Sequence, residues 1–170
     1  LLVLGLDFVS RNCQVRSVTK SSVIAAIQYI LEMLGTKKML GGQVDDISWK
    51  NYQENPKYIE DIYLKKTSAL ICASLKTGAL LSQASKEQIK SLVSYGEKIG
   101  LAFQIIDDLL DLKQDDQGED KLTYPGIFGV GKARTAAHEY TNQAKENMSL
   151  FGSKAILFYE LADFIINRKK

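Results

Sequence analysis

The sequence has few of the residues that interrupt helices or cross-link small domains. Its 170 residues include 2 prolines, 2 cysteines, 1 tryptophan and 1 histidine. Pro56 and Pro125 leave long stretches in which an α-helix can continue, whereas an all-β chain needs turn residues about every 8 to 12 positions. The spacing of Cys13 and Cys72 does not fit a metal site, so we expect free thiols in a cytoplasmic protein. The composition predicts an all-α protein with a single domain over residues 1–170.

Neither the charge nor the hydropathy of the chain indicates binding to nucleic acid or to a membrane. Lys and Arg total 22 against 20 Asp and Glu, which gives a net charge of +2. This balance provides no general attraction for nucleic acid. The apolar runs are far shorter than the roughly 20 residues that span a bilayer, so we expect no transmembrane segment.

Apolar residues recur at helical spacing in five segments. The predicted helices are 21–34, 59–81, 86–112, 132–150 and 153–168. Ser85 and Gln88 form a capping-box pattern at the start of the third helix. Residues 51–58 and 115–118 are expected to be a connector and a loop. The apolar residues 1–10 are predicted to be the end of a buried helix, so we expect the chain to be the C-terminal portion of a longer one.

Four polar residues share one stripe of the predicted helix 86–112. They are Gln104, Asp107, Asp108 and Asp111, at relative positions i, i+3, i+4 and i+7 among apolar neighbours. Carboxylates this close repel one another unless cations lie between them. Mg²⁺ prefers one or two carboxylates, with water and substrate phosphates in its other positions. The stripe is therefore a candidate Mg²⁺–diphosphate site, and the alternative is a solvated helix face, which the apolar neighbours disfavour.

Lysines elsewhere in the chain could bind the phosphates of such a substrate. Lys66 and Thr67 lie among apolar residues of the predicted helix 59–81. Lys121 follows Asp111 by ten residues, where a loop could bring it over the acidic stripe. Each lysine alone is more often a surface residue. Together with the acidic helix, they favour a clamp of Mg²⁺ and lysines on a leaving diphosphate.

These motifs resemble those of the trans-isoprenyl diphosphate synthases, and the similarity runs in order through nearly all of the chain. Residues 103–111 resemble the second aspartate-rich motif of the family, and Lys66–Thr67 resemble its Lys-Thr pair. Its Gly-Gln segment is matched by Gly41–Gln43 with Asp46, and its Lys-x-Thr-Tyr-Pro element by Lys121 with Thr123–Pro125. The last helix and basic tail of the family are matched by Ala162–Lys170. The resemblance implies an all-α isoprenoid synthase helical bundle around a central apolar cavity, usually in a homodimer.

The resemblance also implies an enzyme. It would be a Mg²⁺-dependent prenyltransferase that condenses isopentenyl diphosphate with an allylic diphosphate, namely the dimethylallyl, geranyl or farnesyl compound. The product would be a short-chain all-trans prenyl diphosphate of the farnesyl or geranylgeranyl type. By resemblance, the Mg²⁺ ligands would be Asp107, Asp108 and Asp111. The catalytic residues would be Lys66, Thr67, Gln104 and Lys121. The same four catalytic residues would bind the substrate, together with Gln43. Thr67 and Gln104 would stabilise the allylic cation through their oxygen dipoles.

Some features of the family have no counterpart in this sequence. They are the first aspartate-rich motif, the upstream basic residues that bind isopentenyl diphosphate, and part of the loop that precedes Lys121. We expect the first two to lie in an upstream segment of a longer chain. The alternative is a non-catalytic modulating subunit of a heteromeric synthase. Terpene cyclisation on the same fold is disfavoured by the Lys-x-Thr-Tyr-Pro element.

Overall fold

The computed structural model describes residues 2–48, 56–112 and 123–168. Over these ranges the chain is helical and forms no strand, which confirms the predicted all-α class. The helices are α1 (Leu2–Arg11), α2 (Lys20–Leu34), α3 (Met39–Ile47), α4 (Pro56–Tyr63), α5 (Ala69–Leu81), α6 (Lys86–Asp111), α7 (Tyr124–Phe128), α8 (Val130–Asn147) and α9 (Ile156–Asn167). Asn12–Gln14 and Ser149–Ala155 form 3₁₀ turns, and Leu64–Ser68 form a π-helical turn. None of the helices in these ranges has the length and the apolar character needed to cross a membrane.

Helix α6 lies at the centre of the fold. It begins at the predicted capping box, in which the Ser85 hydroxyl accepts from the Gln88 N–H and the Gln88 side chain accepts from the Ser85 N–H. Helices α5, α8 and α9 and the π-helical turn pack around it. Its first half contributes Tyr95 and Ile99 to a core shared with α8 and α9, and its second half contributes Ile105 to a core shared with α4 and α8. The acidic stripe therefore lies at the end of the most central helix.

The π-helical turn is held between α3 and α6 by two glycines. A Cβ atom on Gly42 of α3 would lie 2.7 Å from the Lys66 nitrogen, and one on Gly100 of α6 would lie 2.7 Å from the Ser68 Cα. Either distance is too short for a real Cβ, so only glycine allows these backbones to approach so closely. The predicted continuous helix 59–81 is therefore wrong in one respect, because this turn separates α4 from α5.

Helix α1 is more exposed than predicted. The residues are helical as expected, but none of α1 is buried, and Val3 and Phe8 are 80% and 58% exposed. Among the described elements, α1 packs against α2 and the following 3₁₀ turn. The predicted helix is therefore present, but the prediction that it is buried is wrong among the described elements, because these two neighbours leave none of its residues buried.

Candidate active site

A cavity of about 680 Å³ lies beside the π-helical turn. Its lining residues are Met39, Leu40 and Gln43 from α3, Lys66 and Thr67 from the turn, Leu70 and Ile71 from α5, and Phe103 from α6. Five of these eight side chains are apolar, and the polar ones are few, which is typical of a site for a small ligand. The structure thus brings three predicted substrate-binding residues, Gln43, Lys66 and Thr67, to the wall of one cavity.

The π-helical turn directs two consecutive lysines to different neighbours. Lys66 lines the cavity, and its Nζ lies 2.6 Å from the Asp46 carboxylate of α3. Lys65 instead lies 3.1 Å from the Asp45 carboxylate and 2.5 Å from that of Asp61. The hydrogen bond to Asp61 raises the pKa of Lys65. Of the two lysines, Lys66 is the one placed to meet a ligand in the cavity.

A hydrogen-bond chain connects the cavity wall to the acidic helix. The Thr67 hydroxyl donates to Gln104 Oε1 at 2.6 Å, and Gln104 Nε2 donates to Asp108 Oδ1 at 3.1 Å. The Tyr63 hydroxyl donates to Asp108 Oδ2 and accepts from the Tyr124 N–H at 2.8 Å. This hydrogen-bond chain therefore runs from Tyr124 through Tyr63, Asp108 and Gln104 to Thr67.

Asp108 is the buried carboxylate of the acidic stripe. It is 9% exposed, and both of its oxygens accept hydrogen bonds. Burial raises the pKa of Asp108 to about 6, although the hydrogen bonds from Tyr63 and Gln104 act in the opposite direction. Burial and the nearby Asp108 carboxylate raise the pKa of Tyr63 as well, so its hydroxyl stays protonated at neutral pH.

Asp107 and Asp111 lie on a more accessible part of α6. The Asp107 side chain is 38% exposed, and its Oδ1 lies 2.7 Å from Arg168 Nη2. The Arg168 guanidinium also lies 4.0 Å from the centroid of the Phe103 ring. Asp111 is exposed in the last turn of α6, one helical turn beyond Asp107.

The three aspartates of the acidic stripe differ in how accessible they are to a metal ion. Within residues 2–48, 56–112 and 123–168, no three His, Cys, Asp or Glu side chains come together as a metal site. Mg²⁺ takes one or two carboxylates and completes its shell with water and phosphate oxygens. Asp107 and Asp111 suit that arrangement because they lie on the accessible part of α6, where one Asp107 oxygen also contacts Arg168. Asp108 is buried, with a hydrogen bond at each oxygen. The metal role of all three residues stays a prediction.

Two residues of the site were not predicted, and one predicted residue is not described. Tyr63 lies one turn before Lys66, but an aromatic residue in an apolar helix is ordinarily a core residue, so nothing in the sequence marks it. Arg168 falls in the segment that resembles the family's basic tail, but nothing in the sequence predicts its contact with Asp107. Lys121 and the predicted loop 115–118 lie outside the described residues.

Comparison with known sequences gives one consistent result. The sequence model of the polyprenyl synthetase family matches residues 8–149. The chain is 34% identical over 168 residues to geranylgeranyl pyrophosphate synthase 6, mitochondrial, of Arabidopsis thaliana, a match that covers 89% of this chain and 50% of the relative. It is 32% identical over 179 aligned positions to the geranylgeranyl diphosphate synthase of Cyanophora paradoxa, covering 99% and 59% of the two proteins. The chain spans about half the length of the curated relatives it matches.

Solved structures share the fold. A crystal structure of an FPP/GFPP synthase from Zymomonas mobilis superposes with a TM-score of 0.85 at 30% identity, covering 96% of this chain and 57% of that one. A geranylgeranyl pyrophosphate synthetase from the archaeon Geoglobus acetivorans superposes with a TM-score of 0.82 at 26% identity, covering 96% and 62%. The described helices therefore form the helical fold of isoprenyl synthases.

Proposed function

Because the chain belongs to the polyprenyl synthetase family, we propose that it acts in a Mg²⁺-dependent trans-prenyltransferase. The reaction joins isopentenyl diphosphate to an allylic diphosphate and gives a short-chain all-trans prenyl diphosphate. The observation that carries the proposal is an apolar cavity lined by Lys66 and Thr67, from which Thr67 connects through Gln104 to Asp108 at the acidic end of α6. The relatives named as geranylgeranyl and FPP/GFPP synthases support a product of this size class.

In the proposed site, each residue acts on one part of the allylic diphosphate. The Lys66 ammonium binds the diphosphate, since it lies at the cavity wall and Asp46 holds it there. Asp107 and Asp111 would hold Mg²⁺, which supplies charge neutralisation to the leaving diphosphate. The Thr67 oxygen faces the carbon that becomes cationic, and the apolar lining excludes water that would react with this cation.

Replacing Asp107 tests the proposed function. The change Asp107→Asn should lower the rate of prenyl transfer about 100-fold or more, because charge stabilisation by a metal ion is worth several kcal/mol. The matched control is Asp163→Asn, since Asp163 is an exposed aspartate of α9 that pairs with Lys145, and neither residue is among the described lining residues of the cavity. The assay measures product from isopentenyl and allylic diphosphates with the full protein, alongside a calorimetric titration with Mg²⁺.

The outcomes of this assay separate the two functions under consideration. Loss of activity and of Mg²⁺ binding in the Asp107 variant, with normal helicity and a normal control, supports the transferase. A wild-type protein that makes no product but changes the product of a second synthase chain would support the modulating subunit instead.

We propose a homodimer as the state of the whole protein. Helix α2 exposes Ile24 and Leu31, which lie seven residues apart and so on the same face. A second copy of the chain would cover such an apolar face, and sedimentation equilibrium of the full protein measures whether it does.

We also propose the cytoplasm as the location of the protein, since Cys13 and Cys72 are free thiols, as is usual in reducing compartments. Some relatives are named as mitochondrial or chloroplastic. Separation of cells into cytosol and organelles, followed by detection of the protein, is the deciding experiment.

A further inference from the structure

The orientation of the Gln104 side chain follows from its neighbour Asp108. An ionised carboxylate only accepts hydrogen bonds, so the group that Gln104 turns toward Asp108 is its amide nitrogen. The amide oxygen then faces the other way, toward Thr67. Because an amide oxygen also only accepts, the hydrogen of the Thr67 hydroxyl is directed to Gln104.

The direction of that hydrogen decides whether the Thr67 hydroxyl presents its partly negative oxygen or its partly positive hydrogen to the cavity. Thr67 lines the cavity, whereas Gln104 is not among its described lining residues. With its hydrogen committed to Gln104, the Thr67 oxygen has lone pairs available to the cavity. If the Gln104 amide were reversed, its N–H would point at Thr67, and the Thr67 hydrogen would be free to turn into the cavity.

Tyr63 fixes Asp108 from the opposite side. It is 3% exposed, donates to the second oxygen of Asp108 and is held in turn by the backbone N–H of Tyr124. With one oxygen bonded to Tyr63 and the other to Gln104, the carboxylate has no free rotation about its terminal bond. Tyr63 and Asp108 are both buried, so water does not readily replace the bond between them.

We propose that Tyr63 and Asp108 are positioning residues that act through Gln104 to hold the Thr67 hydroxyl with its hydrogen turned away from the cavity and its lone pairs turned toward it. This inference rests on the proposed function, since it is an allylic cation in the cavity that the lone pairs stabilise. An oxygen that is oriented in advance contributes more in such a site than one that must reorient during the reaction. Asp108 is thus assigned a role other than the metal ligation expected from the sequence.

The test compares two variants with a matched control. Asp108→Asn removes the fixed acceptor, because an amide can donate or accept toward Gln104, and Tyr63→Phe removes only the hydroxyl. The control is Tyr140→Phe, since the Tyr140 hydroxyl also donates to a carboxylate, that of Glu60 at 2.6 Å, but takes no part in the hydrogen-bond chain. Thermal melting of each full protein establishes that it is folded.

The decisive measurement is the preference of the protein for positive charge in the cavity. It is the ratio of the dissociation constants of two allylic diphosphate analogues, one with a protonated amine in place of the reacting carbon and one with an uncharged carbon there. We expect Asp108→Asn to reduce this preference and kcat about tenfold or more, as loss of one oriented dipole does in other active sites. Tyr63→Phe should produce a smaller loss in the same direction, with KM and Mg²⁺ affinity near their wild-type values and with no change in the control.

A double-mutant cycle shows whether Asp108 acts through Thr67. Thr67→Val keeps the shape of the side chain and removes the hydroxyl. In that background, Asp108→Asn should cause no further loss of preference for the charged analogue. A full additional loss would overturn the inference.

The remaining outcomes distinguish failure of the inference from failure of the proposed function. An unchanged charge preference in the Asp108 and Tyr63 variants, or a weaker Mg²⁺ affinity as the main effect of Asp108→Asn, overturns the positioning role and leaves the transferase intact. If the Asp108 variant does not fold, Tyr63→Phe and Thr67→Val decide the matter. A wild-type protein that binds neither analogue contradicts the proposed function itself.

Discussion

Lys65 and Lys66 carry the same side chain at neighbouring positions, and their partners differ. The Lys65 ammonium contacts two carboxylates, Asp45 and Asp61, and its residue does not contribute to the described lining of the cavity. Lys66 has a single described carboxylate partner, Asp46, and lines the cavity. A substrate phosphate could therefore be added to the contacts of Lys66 without breaking those of Lys65.

This difference predicts unequal effects of the same substitution. Lys66→Gln should weaken the binding of an allylic diphosphate about tenfold or more, because a charge-assisted bond to phosphate is lost. Lys65→Gln should change that affinity less than about threefold. It should act mainly on stability, because the substitution removes the cationic partner of the partly buried Asp45 carboxylate. Isothermal titration with the allylic diphosphate measures the first effect, and thermal melting measures the second. Equal losses of affinity in the two variants would contradict this assignment.

The residues of the site differ in how far the sequence could reveal them. Lys66, Thr67 and the acidic stripe stand out in the sequence, because charged or polar groups on apolar helices are unusual and their spacing resembles a known motif. Tyr63 does not stand out, because nothing near it in sequence indicates its hydrogen bond to Asp108, 45 positions later. Nothing in the sequence distinguishes the surroundings of Asp108 from those of Asp107 and Asp111, whereas the structure shows that it is buried and hydrogen-bonded at both oxygens.

At the scale of elements, the close contacts of the π-helical turn depend on glycine. Gly100 lies against Ser68 at a distance that admits no side chain, whereas a Cβ on Gly78 of α5 would meet nothing within 4 Å. Both glycines are in helices, so the intrinsic effect of replacing them by alanine is the same and favourable.

The two glycines therefore form a matched pair for a stability measurement. Gly78→Ala should raise the free energy of unfolding by up to about 1 kcal/mol, because alanine favours the helix. Gly100→Ala should lower it by about 1–3 kcal/mol, since the added methyl group forces the helices apart as overpacking does. It should also weaken binding of the allylic diphosphate, because the turn that carries Lys66 and Thr67 is displaced. Urea unfolding measures the free energies, and a Gly100 variant as stable as wild type would show that the contact is not close.

Periodicity predicted some elements well and others poorly. Helices α2 and α6 agree with their predicted bounds to within a residue, because each has an uninterrupted apolar face and an N-terminal cap. Helix α3 was not predicted as a helix, because Gly41 and Gly42 are poor helix formers. The π-helical turn could not be predicted from local sequence, because the contacts that accompany it come from α3 and α6.

At the scale of the whole molecule, several apolar faces remain exposed. On α9, Leu157, Leu161 and Phe164 form a stripe at helical spacing, with exposures of 72%, 48% and 67%. Helices α1 and α3 also expose apolar residues, among them Val3 and Ile47. Apolar surfaces of this kind usually mark contacts with other protein surfaces or a tendency to associate.

The 170-residue chain by itself is therefore expected to bind a hydrophobic dye such as anilinonaphthalene sulfonate and to associate in solution. The double change Leu157→Glu and Phe164→Glu should lower dye fluorescence and association, with little change in melting temperature because both side chains are exposed. Lys154→Glu is the control, since it makes the same change in charge at an exposed position of the preceding turn. Dye fluorescence and light scattering check the prediction, which fails if the control has the same effect as the double change.

The π-helical turn also bears on how this sequence can vary in length. In an ordinary α-helix, each added or removed residue rotates the following part of the helix by about 100°. A π-helical turn closes its hydrogen bonds one residue later than an α-helical turn does. Loss of one residue between Tyr63 and Ala69 would therefore convert it to an α-helical turn and leave the buried Cys72 and Ala73 facing the core. The change would fall on residues 64–68 themselves, so a shorter chain would keep the packing of α5 and lose the present placement of Lys66 and Thr67 at the cavity.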